Sequence, residues 1–100
     1  MEKRTLGRTG IETTILGFGA MRLPVKELGK PAIKHEEAIK LIRQGIDSGI
    51  NYVDTAYNYH DYESEIVVGK ALKDGYREKV SLVTKCPIWD DKEFTKPEDL

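Results

Sequence analysis

The sequence holds a single cysteine, Cys86, so no disulfide can form within the chain, and this usage fits a reducing compartment. No apolar run approaches the roughly 18–20 residues that cross a bilayer. The opening residues, MEKRTLGRTG, contain no apolar stretch of a secretory leader, so the expected location is the cytoplasm. Neither sign of charge dominates: 16 Lys and Arg stand against 17 Asp and Glu, for a net charge of -1. The charges are interspersed rather than blocked, which removes the usual reason to expect nucleic acid or an anionic membrane as a partner. Low-complexity segments are absent. Prolines number only four, and two of them fall in LPVKELGKP (23–31), which reads as a loop.

What is present is ordinary globular composition for one domain, with 100 residues that are 39% hydrophobic and 33% charged. A chain of this length buries roughly 60–70% of its unfolded surface, enough for a modest core. EKRTL (2–6) alternates like a short strand and GRTG (7–10) is a glycine-bounded turn, so residues 1–14 read as a β-hairpin. Residues 15–20 turn apolar at ILGF and read as a buried strand running into glycines. HEEAIKLIRQGIDSG (35–49) is the clearest helix. Ala38, Ile39, Ile42 and Ile46 recur at three- and four-residue steps, Glu36 and Glu37 favour its first turn, and Gly49 is a natural C-cap. INYVDTA (50–56) reads as a strand, ESEIVVGKALKD (63–74) as a second helix with Gly69 packed close on the sheet, and KVSLVTKCP (79–87) as a third strand. IWDDKEFTKPEDL (88–100) is a polar loop ending in the first turn of another helix. Strands alternating with helices predict right-handed βαβ units and a parallel α/β sheet. With no closing strand after the third, the chain is expected to be a truncated part of a larger protein.

In parallel α/β folds, functional side chains gather at the carboxyl ends of the strands. Asp54 ends the second buried strand and Lys85 the third. Neighbouring strands lie about 4.8 Å apart, so the two side chains can meet. An ion pair between them would set an ammonium beside a tyrosine of the loop that follows Asp54. A nearby positive charge favours a phenolate and lowers a phenol's pKa, which suits a general acid or base. GFGA lacks the spacing of a dinucleotide-binding glycine loop, and no helix follows it directly.

These residues resemble a known family. GINYVDTAYNYHDYESEIVVGKAL is similar to the aldo-keto reductase signature G-x-x-x-x-D-T-A-x-x-Y…E…G-x-A-L. LGRTGIETTILGFGAMRLP resembles that family's N-terminal hairpin and first barrel strand, and VSLVTKCP its third strand, which ends in lysine. The resemblance implies the N-terminal portion of a (β/α)8 barrel, with the hairpin at 1–14 and three barrel strands and two helices over 15–100. It implies reduction of a small-molecule aldehyde or ketone by NADPH, with Tyr59 as general acid assisted by Lys85 and Asp54. Tyr59 is chosen because it stands five residues after Asp54, as in the motif. The family's fourth catalytic residue, a histidine on the fourth strand, has no counterpart here. Gly19, Ala20, Met21 and Asp54 fall where family members meet the nicotinamide. Ala20 stands where threonine is common. The wording GFGAMRLP is closest to a bacterial and archaeal branch with a C-terminal iron–sulfur module in some members, which would lie beyond residue 100. No metal site is expected within the chain.

Plainer readings stand beside these. Asp54 could merely close the turn after its strand. Tyr57 and Tyr62 read as packing or pocket-wall residues, Cys86 as a small buried hydrophobe, and His35 as a surface residue at a helix start. His60 and Trp89 read either as walls of a substrate pocket or as a solvated loop residue and a barrel-rim cover. A second function is a cofactor-binding regulatory subunit with the same barrel and little turnover, as in the channel-associated β subunits of the family. A third is an unrelated (β/α)8 enzyme.

Overall fold

The computed structural model describes residues 1–86 and Glu98. Trp89 and the helix start expected near residue 97 lie outside the described residues. Strands β1 (Lys3–Thr5) and β2 (Glu12–Thr14) pair antiparallel, with Lys3 opposite Thr14. The turn between them uses Gly7 and Gly10 at φ of 54° and 77°, left-handed backbone that glycine adopts without steric cost. Strands β3 (Phe18–Gly19), β4 (Tyr52–Asp54) and β5 (Ser81–Val83) form a parallel sheet in the order β3-β4-β5. Helix α1 (His35–Asp47) connects β3 to β4 and helix α2 (Ser64–Ala71) connects β4 to β5.

The strands are shorter than the sequence predicts. Residues 15–20 were expected to be buried throughout, yet Ile15 and Leu16 are exposed and pairing begins only at Phe18. Backbone bonds carry the ladder past the strand ends, however. Ala20 N–H donates to the Asp54 carbonyl at 2.8 Å, Thr55 N–H to the Val83 carbonyl at 2.8 Å, and Tyr57 N–H to the Lys85 carbonyl at 3.1 Å. The carboxyl ends of the three strands are thereby locked side by side.

The core lies between the sheet and the two helices. Ala38, Ile42 and Ile46 face inward from α1, Val67, Val68 and Ala71 from α2, and Val53 from the middle of the sheet. The four-residue steps in α1 are what bring its three residues onto one face. Gly49, at φ 113°, ends α1 and donates its N–H to the Ile46 carbonyl at 2.9 Å. Helix α2 ends earlier than expected, at Ala71 rather than residue 74: the chain leaves helical geometry at Leu72, Lys73 N–H bonds three residues back to the Lys70 carbonyl at 3.3 Å, and Asp74 then turns left-handed at φ 58°. The glycine that permits close helix packing is not Gly69, which is exposed and has nothing near its would-be Cβ. It is Gly45 on α1, where a Cβ would stand 3.1 Å from the Phe18 ring. The hairpin is fastened at the opposite end of the sheet from Asp54: Asn51, just before β4, accepts from Thr14 N–H at 2.8 Å and donates to the Glu12 carbonyl at 3.0 Å.

Candidate active site

Asp54 is the last residue of β4, and Lys85 lies two residues past β5. The Lys85 ammonium donates to Asp54 Oδ2 at 2.7 Å and to the Thr55 carbonyl at 2.9 Å. It also stands 4.8 Å from the centroid of the Tyr59 ring. Desolvation opposes the charge on Lys85, but the bond from Asp54, the phenol of Tyr59 and the charges of both outweigh it, so the lysine pKa is raised above its ordinary value. Both members of the pair remain partly open, with 42% of the lysine side chain and 32% of the aspartate accessible, so a small molecule can reach them. The cluster is an ammonium fixed by a carboxylate beneath a phenol.

Two buried hydroxyls that the sequence reading passed over hold this cluster in place. Ser64 Oγ donates to the Ala20 carbonyl at 2.9 Å, and Thr55 Oγ1 lies 2.7 Å from Ser64 Oγ. Serine has one hydroxyl hydrogen, and it goes to Ala20, so Thr55 must donate to Ser64. The end of β3, the end of β4 and the first residue of α2 are thus tied in one chain of hydrogen bonds. The only hint in the sequence is two hydroxyl residues flanking the tyrosine-rich segment.

Between β4 and α2 the backbone does something unusual. His60, Asp61 and Tyr62 are consecutive residues at φ 53°, 52° and 73°. Left-handed backbone costs an ordinary residue roughly 1–2 kcal/mol, and such strain persists where surroundings enforce it, often beside active sites. Here the His60 ring bridges two backbone groups. Leu23 N–H donates to Nε2 at 2.8 Å, and Nδ1 lies 2.9 Å from the Pro31 carbonyl. Tyr57 and Tyr62 meet edge to face at 5.1 Å, in keeping with a packing role.

Of the residues expected around a cofactor, Gly19 and Met21 are exposed, whereas Ala20 is fully buried in the core and presents no side-chain surface. Gly19 is the register partner of Asp54, and a Cβ there would meet open space, so the ground beside the carboxylate is clear. His60 does line an open cavity of about 550 Å³ together with Met21, Leu23, Leu28 and Pro31. That cavity touches none of Asp54, Tyr59 and Lys85. His35 is not a plain surface residue: it accepts from the Lys70 ammonium at 3.2 Å and faces Glu63 at 3.4 Å. Cys86 is only half-buried. Among the described residues no cluster of three or more His, Cys, Asp or Glu is arranged to hold a metal, and no helix is long and apolar enough to cross a membrane.

A parallel sheet flanked by helices, a hairpin at one end and a polar cluster at the other match the N-terminal part of a (β/α)8 barrel, with the candidate site at the carboxyl ends of the strands. The chain belongs to the aldo/keto reductase family, whose model matches residues 15–99. It is 36% identical over 93 residues to the NADH-specific methylglyoxal reductase of Escherichia coli (strain K12), covering 92% of this chain and 28% of that one. Among solved structures, the aldo-keto reductase of Bacillus halodurans in its holo form superposes with a TM-score of 0.72 at 37% identity, over 86% of this chain and 26% of that one. The aldo-keto reductase of Klebsiella pneumoniae in complex with NADPH gives a TM-score of 0.67 at 31% identity, over 89% and 30%. The chain spans about a quarter of the length of the curated relatives it matches, 23% and 28% for two of them.

Proposed function

We propose that the protein carrying this chain reduces aldehydes or ketones to alcohols with a nicotinamide cofactor, and that Tyr59 is the general acid. The observation that carries the reading is the Lys85 ammonium, 2.7 Å from Asp54 and 4.8 Å from the Tyr59 ring centroid. A bound nicotinamide would supply the hydride. Tyr59 would bind the carbonyl oxygen through its hydroxyl and give up that proton as negative charge develops there. Lys85 favours the phenolate left behind, because its charge lies against the ring. Asp54 and the Thr55 carbonyl fix the ammonium so that it need not reorganise during the reaction. Exposed Gly19 and Met21 would lie against the flat ring beside Asp54.

NADPH is the form we favour, in line with the Klebsiella pneumoniae complex, although the Escherichia coli relative is named for NADH. Comparing KM for the two cofactors tests this, and a preference for NADH overturns it. Methylglyoxal is a suitable first substrate. Tyr59→Phe in the protein carrying this chain is expected to slow carbonyl reduction by about 10²–10⁴-fold while cofactor affinity stays near wild type. Reduction at the wild-type rate would show that Tyr59 is not the acid. A single turnover followed by none would favour the regulatory subunit instead.

A further inference from the structure

We infer that His60 is a positioning residue: its ring fastens the left-handed turn that follows Tyr59 to both ends of the 23–31 loop, and so sets the aim of the Tyr59 hydroxyl. The inference rests on the reading of Tyr59 as general acid. Three consecutive left-handed residues without a glycine need an external restraint. The ring of His60 supplies it, reaching Leu23 N–H at 2.8 Å and the Pro31 carbonyl at 2.9 Å. The two bonds define the ring's hydrogens. Nε2 accepts from a backbone N–H and carries none, so the hydrogen of the neutral ring is on Nδ1 and is donated to Pro31. Tyr59 has little freedom of its own at the other side of the turn. Its N–H donates to the Ala56 carbonyl at 3.3 Å, and its carbonyl accepts from Ser64 N–H at 3.2 Å. With the segments before and after it fixed, the direction of the Tyr59 side chain depends on the turn at His60 keeping its left-handed form.

The substitutions separate backbone strain from the bridge. His60→Gly keeps the left-handed turn accessible but deletes both bonds. His60→Asn tolerates the same backbone and returns one polar contact. In the protein carrying this chain, His60→Gly is expected to lower kcat by about 10–100-fold, the scale of a misplacement near 1 Å, with the KM for carbonyl and cofactor little changed. His60→Asn should recover part of that loss. In a Tyr59→Phe background, His60→Gly should cost almost nothing further, because the two residues act as one unit. A full additional loss in that background, or a rise in KM at constant kcat, overturns the inference. Nitrogen NMR of the wild-type histidine supplies a test that does not depend on catalysis. A hydrogen on Nδ1 and a hydrogen-bonded Leu23 amide support the bridge, and a hydrogen on Nε2 overturns it. If Tyr59→Phe itself is fully active, the assignment of the acid has failed, and with it the positioning role. The NMR result would then show whether the bridge stands as a structural tie alone.

Discussion

Ser64 has one hydrogen to give, and the consequences of removing it can be counted. In Ser64→Ala the Ala20 carbonyl loses its donor and the Thr55 hydroxyl loses its acceptor, both in fully buried surroundings. Orphaned buried polar groups cost about 1–3 kcal/mol, and urea denaturation should show a loss of that size. Thr55→Val added to Ser64→Ala removes the stranded hydroxyl and should restore part of the stability. Lys85 offers a second test at this scale. Its raised pKa means that the folded state holds the proton more tightly than the unfolded chain. The stability it contributes is fully present below the ordinary lysine value of about 10.4 and is lost as pH rises through the higher folded value. Asp54→Asn removes the carboxylate that favours the ammonium, so NMR titration of Lys85 should show its midpoint move down. Asp54 and Lys85 were readable in the sequence because each ends a short apolar run. His60 was not readable as a bridge, since nothing in NYHDY announces three left-handed residues without a glycine.

The two helices show how far periodicity reaches. The inward face of α1 follows from its four-residue spacing, whereas the choice between Gly45 and Gly69 as packing glycine depends on where the Phe18 ring lies, which no periodicity encodes. Gly69→Ala is therefore expected to stabilise the fold by about 0.5–1 kcal/mol, since the helix gains propensity and the methyl meets nothing. Gly45→Ala should forfeit that gain against Phe18, and thermal denaturation of the two variants compares them directly. The approach to α1 is tied to the start of α2 by Glu63, whose carboxylate accepts from Ile33 N–H at 3.2 Å. That bond is the main cause of its lowered pKa; desolvation opposes it and His35 assists. A depressed carboxylate contributes stability that is present above its unfolded value of about 4.3 and is lost as pH falls through the lower folded value. The Ile33 amide shift should follow that titration, and in Glu63→Gln it should not move with pH in this range.

At the scale of the molecule, the helix side of the three-stranded sheet is filled, while Leu82 on β5, and Ile15 and Leu16 ahead of β3, stay exposed. Among the described residues β5 pairs with β4 alone, and its outer edge is free. Expressed by itself, the 100-residue chain is therefore expected to self-associate through that edge. Size-exclusion chromatography and circular dichroism would check this; a sharp monomer peak with a cooperative melt would mean that the unit is self-sufficient. The parallel sheet was legible from the alternation of strand and helix patterns and the hairpin from EKRTL and its glycine-bounded turn, but the length of β3 was not, because glycines 17 and 19 thin out the pairing that ILGF suggests. The loop at 23–31 holds one more consequence. Both its ends are gripped by a single imidazole, Lys26 N–H reaches the Ala32 carbonyl at 2.9 Å, and Lys34 N–H reaches the Pro24 carbonyl at 2.8 Å. Its tip, with Leu28 96% exposed and Gly29 left-handed, bears none of those bonds. Cut at Leu28, the loop is expected to stay assembled until denaturant is added, which size-exclusion chromatography of the nicked protein would check, and this tip is then the place to graft an epitope or to open new chain termini in a circular permutant.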